Sequence, residues 1–318
     1  MTGSAPDLVT MGESMGLFFA PLGMPLVSGP AFHLSFGGAE SNVAIGLARL
    51  GHEALWVGRL GDDEIGRYIE RELRAEGVRT RGLTGPTHTG MMVRAQRGFG
   101  RSSVQYARLG SAGAQLAVDD LPLDEIRRAR ILHLTGITAA LGDGPHQALV
   151  AAAHAAHDAG VLVSLDLNYR ATLWSAEEAG PALRELTELS HLVFATADEA
   201  QVLLGDAHDG GDDAAYARRI SALGPAEVVV KRGADGALSL VDGEVFEQNV
   251  TAVVERDPVG AGDAFAAGYL HGVLVDSAPQ DRLDFAGRVA AHSVTLPGDW
   301  EGLPRLSDLD VGGPDILR

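Results

Sequence analysis

Cysteine is absent from all 318 residues, which removes disulfides and thiolate chemistry and suits a reducing compartment. Positive charge is scarce: 25 Lys and Arg stand against 43 Asp and Glu, a formal net charge of -18. That balance disfavours nonspecific attraction to nucleic acid or an anionic membrane. Lysine occurs once, as Lys231 in "KRGADG", so there is no phosphate loop of the form GxxxxGKS/T. The stretch "VTMGESMG" after the first predicted strand lacks GxGxxG, which argues against a nicotinamide dehydrogenase. No apolar run is long enough to span a bilayer; the alanine-rich stretch around 148–156 is broken by His154 and followed by His157. The N-terminus "MTGSAPDLVTMGES" has no basic stretch leading into an apolar core, so the expectation is a soluble, cytoplasmic protein with neither nucleic acid nor membrane as partner.

What is present is apolar content of 46%, enough for a large core. Short apolar runs of strand length recur at 8–12, 54–61, 131–136, 161–168, 191–196 and 226–233. Helical patterns lie between them at Ala39 to Leu50, Glu64 to Glu76, Pro145 to Ala159 and Ala176 to Leu189, several ending at glycine. Alternation of this kind predicts an α/β fold with a mostly parallel central sheet covered on both faces, and ligands at the carboxyl ends of its strands. Residues 13–36 and 86–110 break the alternation and read as hairpins, the second turning at Gly98 and Gly100. Hairpins without a covering helix need another partner, and these are expected to form a lid on a single domain spanning 1–318. The acidic "GDAHDGGDDAA" at 205–215 reads as a solvated loop.

Near the C-terminal end stands Asp257-Pro-Val-Gly-Ala-Gly-Asp263, just before a helical pattern from Ala264 to Leu274. Gly260 and Gly262 let the backbone approach a ligand, and the free amides of a helix start make an anion hole that needs no lysine. Asp263 could then take a proton from a hydroxyl while those amides hold a transferred phosphoryl group. The plainer alternative is that Asp263 caps the helix and the glycines serve packing. "VVVKRGADGALSL" leads a strand into a glycine turn and a second strand, which hairpin chemistry alone explains.

These residues together resemble the ribokinase-like (PfkB) family of ATP-dependent sugar kinases. "GGAESNVAIGLARLG" at 37–51 is similar to the family's N-terminal glycine signature and "DPVGAGDAFAAGYL" at 257–270 to its C-terminal one; the two hairpins and "TADE" at 196–199 also fit. The resemblance implies a three-layer α/β/α sandwich with a small β lid and ATP and magnesium as cofactors, while the uncovered lid hairpins favour a homodimer formed through them. It makes Asp263 the base and Gly260, Ala261 and Gly262 the anion hole. Thr196, where the family usually has Asn, would line the nucleotide site with Lys231, Gly233 and Gly236, and Ser293 and Val294 would lie near it. Glu199 would act on magnesium through water. Asp257 and the Val259 carbonyl match places where members hold a monovalent cation such as potassium.

Within the family the chain is most similar to kinases of 2-keto-3-deoxygluconate, through "YARLGSAG" at 106–113, "LHLTGIT" at 132–138, "SLDLNYRATLWS" at 164–175 and "LPGDWEG" at 296–302. That implies phosphorylation of the sugar acid's terminal hydroxyl, giving the 6-phosphate. A ketoaldonic acid differs from fructose or ribose by its carboxylate, which guanidinium groups recognise with paired hydrogen bonds. Arg108 and Arg170 match the acid-contacting positions, with Arg94 a spare candidate. Gly37, Gly38 and Asn42 would meet hydroxyls, Tyr106 would stack or hydrogen-bond, and Asp299 would lie beside the base. Met92 stands where the subgroup often has tyrosine, so the galacto epimer and neutral ketoses stay open as substrates. Glu13 and Ser35 are further candidates for the pocket, Glu13 equally for the lid surface. A catalytically silent sugar-binding regulator is the competing class. Three constellations have plain readings: His154 and His157 as solvated helix residues, His133 as a satisfied strand histidine, and Asp62, Asp63 and Glu64 as favourable charges at a helix start.

Overall fold

Leu8 and Val9 are neighbours in the chain and both fully buried, yet they enter different apolar clusters. Successive strand side chains point to opposite faces, so a strand buried on both sides needs a helical layer on each. The structure, a computed structural model, describes residues 4–20, 32–97, 101–205, 212–248 and 253–309. Part of the first lid stretch (21–31), the turn at 98–100 and residues 206–211 of the acidic loop lie outside the described residues.

Strands are numbered along the chain. The larger sheet holds β1 (Leu8–Met11), β4 (Ala54–Gly61), β5 (Arg79–Gly85), β8 (Ile131–Thr135), β9 (Leu162–Asp166), β10 (Leu192–Thr196), β11 (Glu227–Lys231), β12 (Ala237–Val241) and β13 (Glu244–Gln248). Their order is β13-β12-β11-β10-β9-β8-β1-β4-β5. From β11 to β5 every pairing is parallel, and β12 and β13 add an antiparallel edge. One face packs on helices Asp143–Asp158, Ala176–Glu188, Ala197–Leu204 and Asp213–Ser221. The other packs on Ala39–Arg49, Glu64–Ala75, Ala261–Leu274 and Pro279–Ser293. Four of these helices match the sequence patterns within about two residues and a fifth differs at its start, whereas Ala197–Leu204, Asp213–Ser221 and Pro279–Ser293 have no counterpart in those patterns, and residues 213–215 of the expected acidic loop are helical. The helix expected from Ala264 begins at Ala261, because Gly260 takes the left-handed conformation at φ 78° and serves as its N-cap. The helix Ala261–Leu274 sits close to its neighbours through small residues: a β-carbon on Gly46 would stand 2.6 Å from the Ala267 methyl, and one on Gly268 would stand 2.8 Å from Ala286 Cα.

The smaller sheet consists of β2 (Met15–Phe19), β3 (His33–Gly37), β6 (Met91–Arg97) and β7 (Arg101–Ala107), in the order β3-β2-β6-β7. Each expected hairpin is an antiparallel pair, and a parallel β2–β6 pairing joins them into one lid. Met15, Leu17 and Met92, with Phe19 against them, give the lid a small core of its own. Of the plain readings, His133 is only half satisfied: it is buried with its Nδ1 3.0 Å from the Ser164 hydroxyl, while its Nε2 has no hydrogen-bond partner among the described residues. Asp63 caps the helix Glu64–Ala75 by accepting from the Gly66 amide at 2.7 Å. His157 stacks on His191 with ring centroids 5.4 Å apart.

Candidate active site

Four adjacent parallel strands end on polar residues: β8 on Thr135, β9 on Asp166, β10 on Thr196 and β11 on Lys231. Their carboxyl ends form a platform where an α/β sheet ordinarily binds ligands. Lys231 Nζ reaches across β10 to Asp166 Oδ2 at 2.6 Å. Burial alone pulls the Lys231 ammonium down, but Asp166, Glu199 and Asp263 around it raise it overall, so it stays charged at neutral pH. The first turn of helix Ala261–Leu274 faces this lysine; a β-carbon on Gly262 would lie 3.7 Å from Nζ. Gly260 is constrained twice, by its positive φ and by the Asp299 carbonyl, which occupies the space a β-carbon would need.

Asp263 does not cap its own helix. Gly260 holds that position, and among the described residues Asp263 Oδ2 accepts instead from Asn42 Nδ2 at 2.8 Å. Asn42 belongs to the first turn of helix Ala39–Arg49, so two helix N-termini meet at this carboxylate. Removal from water raises the Asp263 carboxyl, and Asp166 adds to the rise; Asn42, Lys231 and Arg170 oppose it, leaving it at about 6. A carboxylate so tuned remains ionised at pH 7 yet is a stronger base than an exposed aspartate. Among the described residues Asn42 Oδ1 is buried without a partner, an acceptor available to a ligand hydroxyl.

Two cavities meet at this turn. Asp263 and Gly260 line the first, together with Gly37, Gly38, Asn42, Tyr106, Arg108, Arg170 and Asp299. All seven residues that the resemblance assigns to the sugar therefore surround one space, and Met92 lines it too. The second, about 580 Å³, lies on the other side of the turn and is lined by Gly233, Gly236, Ala261, Phe265 and Val294 among others. Its size suits a small-molecule site. Thr196, Lys231 and Ser293 do not line it; Lys231 stands at the boundary, beside Gly262.

The arginines in and around the first cavity are held differently. Arg108 is pinned by Glu13, with Nη2 and Nε 2.6 and 2.9 Å from Oε2, and its guanidinium lies 5.7 Å from the Tyr106 ring centroid. Glu13 is 3% exposed and also accepts from the Ser111 hydroxyl, which removes the lid-surface alternative. Arg170 is exposed along the same wall. Arg94 does not line the cavity; its guanidinium pairs with Asp257 at 2.8 Å and Asp299 at 3.5 Å. Asp257 also accepts from the Val259 and Gly298 amides, at 3.3 and 3.0 Å. Burial drives the Asp299 carboxyl up to about 7 against the pull of Arg94. Ser35 bonds to Glu301 instead of facing the cavity.

Glu199 joins a capping box with Thr196: its Oε2 accepts from the Thr196 amide at 2.8 Å and its Oε1 from Tyr169 at 3.1 Å. Burial raises its carboxyl, with Lys231 opposing. Among the described residues each oxygen accepts one hydrogen bond, and a carboxylate oxygen can accept a second. Two groups were not singled out as site residues from the sequence. Asp166 ends a predicted strand, and the carboxyl-end rule could have found it. Glu40, in the first glycine signature, accepts from Thr135 and Thr138 hydroxyls at 2.6 Å, and burial lifts its carboxyl to about 7.

A glycine turn at a helix start and a buried carboxyl of raised pKa between two cavities, one lined by lid residues, suit transfer of a phosphoryl group to an alcohol, the chemistry of small-molecule kinases. Residues 6–306 match the pfkB family of carbohydrate kinases, and the chain belongs to that family. It is similar to 2-dehydro-3-deoxygluconokinase of Bacillus subtilis, 33% identical over 303 residues that cover 94% of this chain and 92% of that protein. It is also similar to 2-dehydro-3-deoxygalactonokinase of Haloferax volcanii, 32% identical over 297 residues covering 92% of each. Among solved structures, 2-dehydro-3-deoxygluconokinase of Thermotoga maritima superposes with a TM-score of 0.89 at 28% identity, covering 95% of this chain and 98% of that one.

Proposed function

We propose that this carbohydrate kinase transfers the γ-phosphate of ATP to the terminal hydroxyl of 2-keto-3-deoxygluconate. One observation carries the reading: Asp263 stands on the turn between the two cavities, where a hydroxyl from one side and a phosphate from the other would meet. The nucleotide base would lie in the larger cavity against Gly233, Gly236 and Phe265. The terminal phosphate would reach the amides of Ala261 and Gly262, with Lys231 beside them. Asp263 takes the hydroxyl proton as the oxygen attacks, and the helix start stabilises charge on the transferred group. Magnesium would be held chiefly by the nucleotide phosphates and water, with the remaining acceptor capacity of Glu199 receiving that water; it would neutralise phosphate charge. The lid excludes water as a competing acceptor.

Arg108 and Arg170 support a substrate with a carboxylate, since both line the sugar-side cavity and each can donate a pair of hydrogen bonds. The nearly equal identities to the gluconate and galactonate kinases favour the galacto epimer as a second reading. The deciding experiment is ADP release from ATP and magnesium with 2-keto-3-deoxygluconate, its galacto epimer, fructose and ribose in parallel. The expected result is a strong preference for the gluco acid; preference for the epimer moves the assignment one stereocentre, and preference for a ketose discards the acid. Arg108→Ala or Arg170→Ala is expected to lower kcat/KM for the acid at least tenfold more than for fructose, consistent with the loss of charge-assisted hydrogen bonds. Equal losses would remove carboxylate recognition from the argument. The exposed Val104 and Tyr106 on the edge strand β7 support a homodimer through the lid, and the chain's composition supports a cytoplasmic location.

A further inference from the structure

Asp257 is 6% exposed, and a buried carboxylate must be paired or hydrogen-bonded. Both its oxygens are engaged: Oδ1 by the Val259 amide, Oδ2 by the Gly298 amide and by Arg94 Nη2 at 2.8 Å. Asp257 is where the family resemblance expects a monovalent cation. Here that carboxylate already holds a cation belonging to the chain, and a metal ion would have to displace or adjoin a guanidinium of the same sign. The residues present do not fit an added ion.

Arg94 comes from the lid. It sits on β6, in register with Phe19 and Val104, is 6% exposed, and lies 5.3 Å from the Phe19 ring centroid. Its other nitrogen faces Asp299 at 3.5 Å. These two acids flank the anion-binding turn from both sides. Asp257 begins the stretch that leads to Gly260, and the Asp299 carbonyl fills the space against the Gly260 α-carbon. A charge placed between them therefore sets the spacing of the two segments that hold Gly260 at positive φ.

We propose that Arg94 is a built-in cation for the Asp257 turn, so that this kinase needs no monovalent metal ion and its anion hole is held in shape by a charge delivered from the lid. Arg94 is a positioning residue in this scheme and touches neither substrate nor phosphate. The proposal deepens the kinase reading, but part of its test needs no sugar.

The test compares wild type, Arg94→Met and Arg94→Lys in potassium chloride and in tetramethylammonium chloride of equal ionic strength. The melting temperature is read without substrates, and kcat and KM are read with ATP, magnesium and the preferred sugar. For wild type the expected result is the same melting temperature in both salts and rates within about twofold. Arg94→Met is expected to lose at least about tenfold in kcat in tetramethylammonium, to regain part of it in potassium, and to melt higher in potassium. Arg94→Lys is expected to recover most of the loss in either salt. Severalfold activation or clear stabilisation of wild type by potassium would overturn the proposal, as would full activity of Arg94→Met in tetramethylammonium. If no acceptor supports turnover, the kinase reading fails while the melting experiment still decides whether the site takes an ion.

Discussion

At the scale of single residues, Asp263 owes its chemistry to what surrounds it. Exclusion of water and the Asp166 charge raise its carboxyl, while Asn42, Lys231 and Arg170 restrain the rise to about 6. Asp263→Asn keeps the shape and removes the base, so kcat is expected to fall by about 10²- to 10⁴-fold. Dissociation constants for ATP and sugar, measured by calorimetry, should stay near wild type; wild-type turnover would take Asp263 out of the mechanism. Because the base must be ionised, kcat/KM of the wild type should fall about tenfold per pH unit below about 6. The residue's placement was legible, since glycines and an aspartate before a helical pattern put a carboxyl at a helix start that lines a cavity. Its partners were less so. Lys231 and Asp166 are 65 positions apart, and nothing local in either segment announces that they meet.

At the scale of elements, the helix Ala261–Leu274 was legible and its start was not. The apolar pattern begins at Ala264, but the helix begins where backbone geometry permits, three residues earlier, on a left-handed Gly260. Gly260→Ala would add about 1–2 kcal/mol of left-handed strain and press a methyl against the Asp299 carbonyl. The expected outcome is a kcat reduced at least tenfold with an unchanged circular dichroism spectrum, since the local change leaves the cores intact; an unimpaired kcat would show that the turn's shape is not needed. The lid elements follow the same division. Alternation and turn glycines specify each hairpin, but the parallel β2–β6 ladder that joins them pairs segments with three strands, two helices and their loops between them.

At the scale of the whole molecule, burying ionisable groups makes stability depend on pH. Glu40 and Asp299 are raised chiefly by burial to about 7, and Asp263 to about 6. Protons held by the fold after the unfolded chain has released them contribute stability that is fully present below about pH 4 and lost as the pH rises through those values. His52, His133, His191 and His271 are lowered by burial and work the other way, gaining stability with pH up to about 6.5, the ordinary histidine value. Between pH 6.5 and pH 8 the raised acids are, among the described residues, the groups that still change, so the melting temperature of the ligand-free protein is expected to fall over that interval. Glu40→Gln and Asp299→Asn should flatten the fall, and a rise over the same interval would contradict the burial account. At this scale also belongs the lid's outer edge. Sedimentation velocity is expected to show a dimer, and Val104→Glu a shift toward monomer; a wild-type monomer would leave the exposed residues of β7 without that explanation. The sequence by itself determined the alternating layers, the lid hairpins and the two glycine signatures, because each rests on contacts and conformations within a short run of chain. Only the tertiary structure decided that Arg94 clasps Asp257 and Asp299 away from the first cavity, that Glu13 is buried to hold Arg108, and that Lys231 answers Asp166. Those choices depend on Coulomb energy at distances of a few ångströms, and chain order carries no information about such distances.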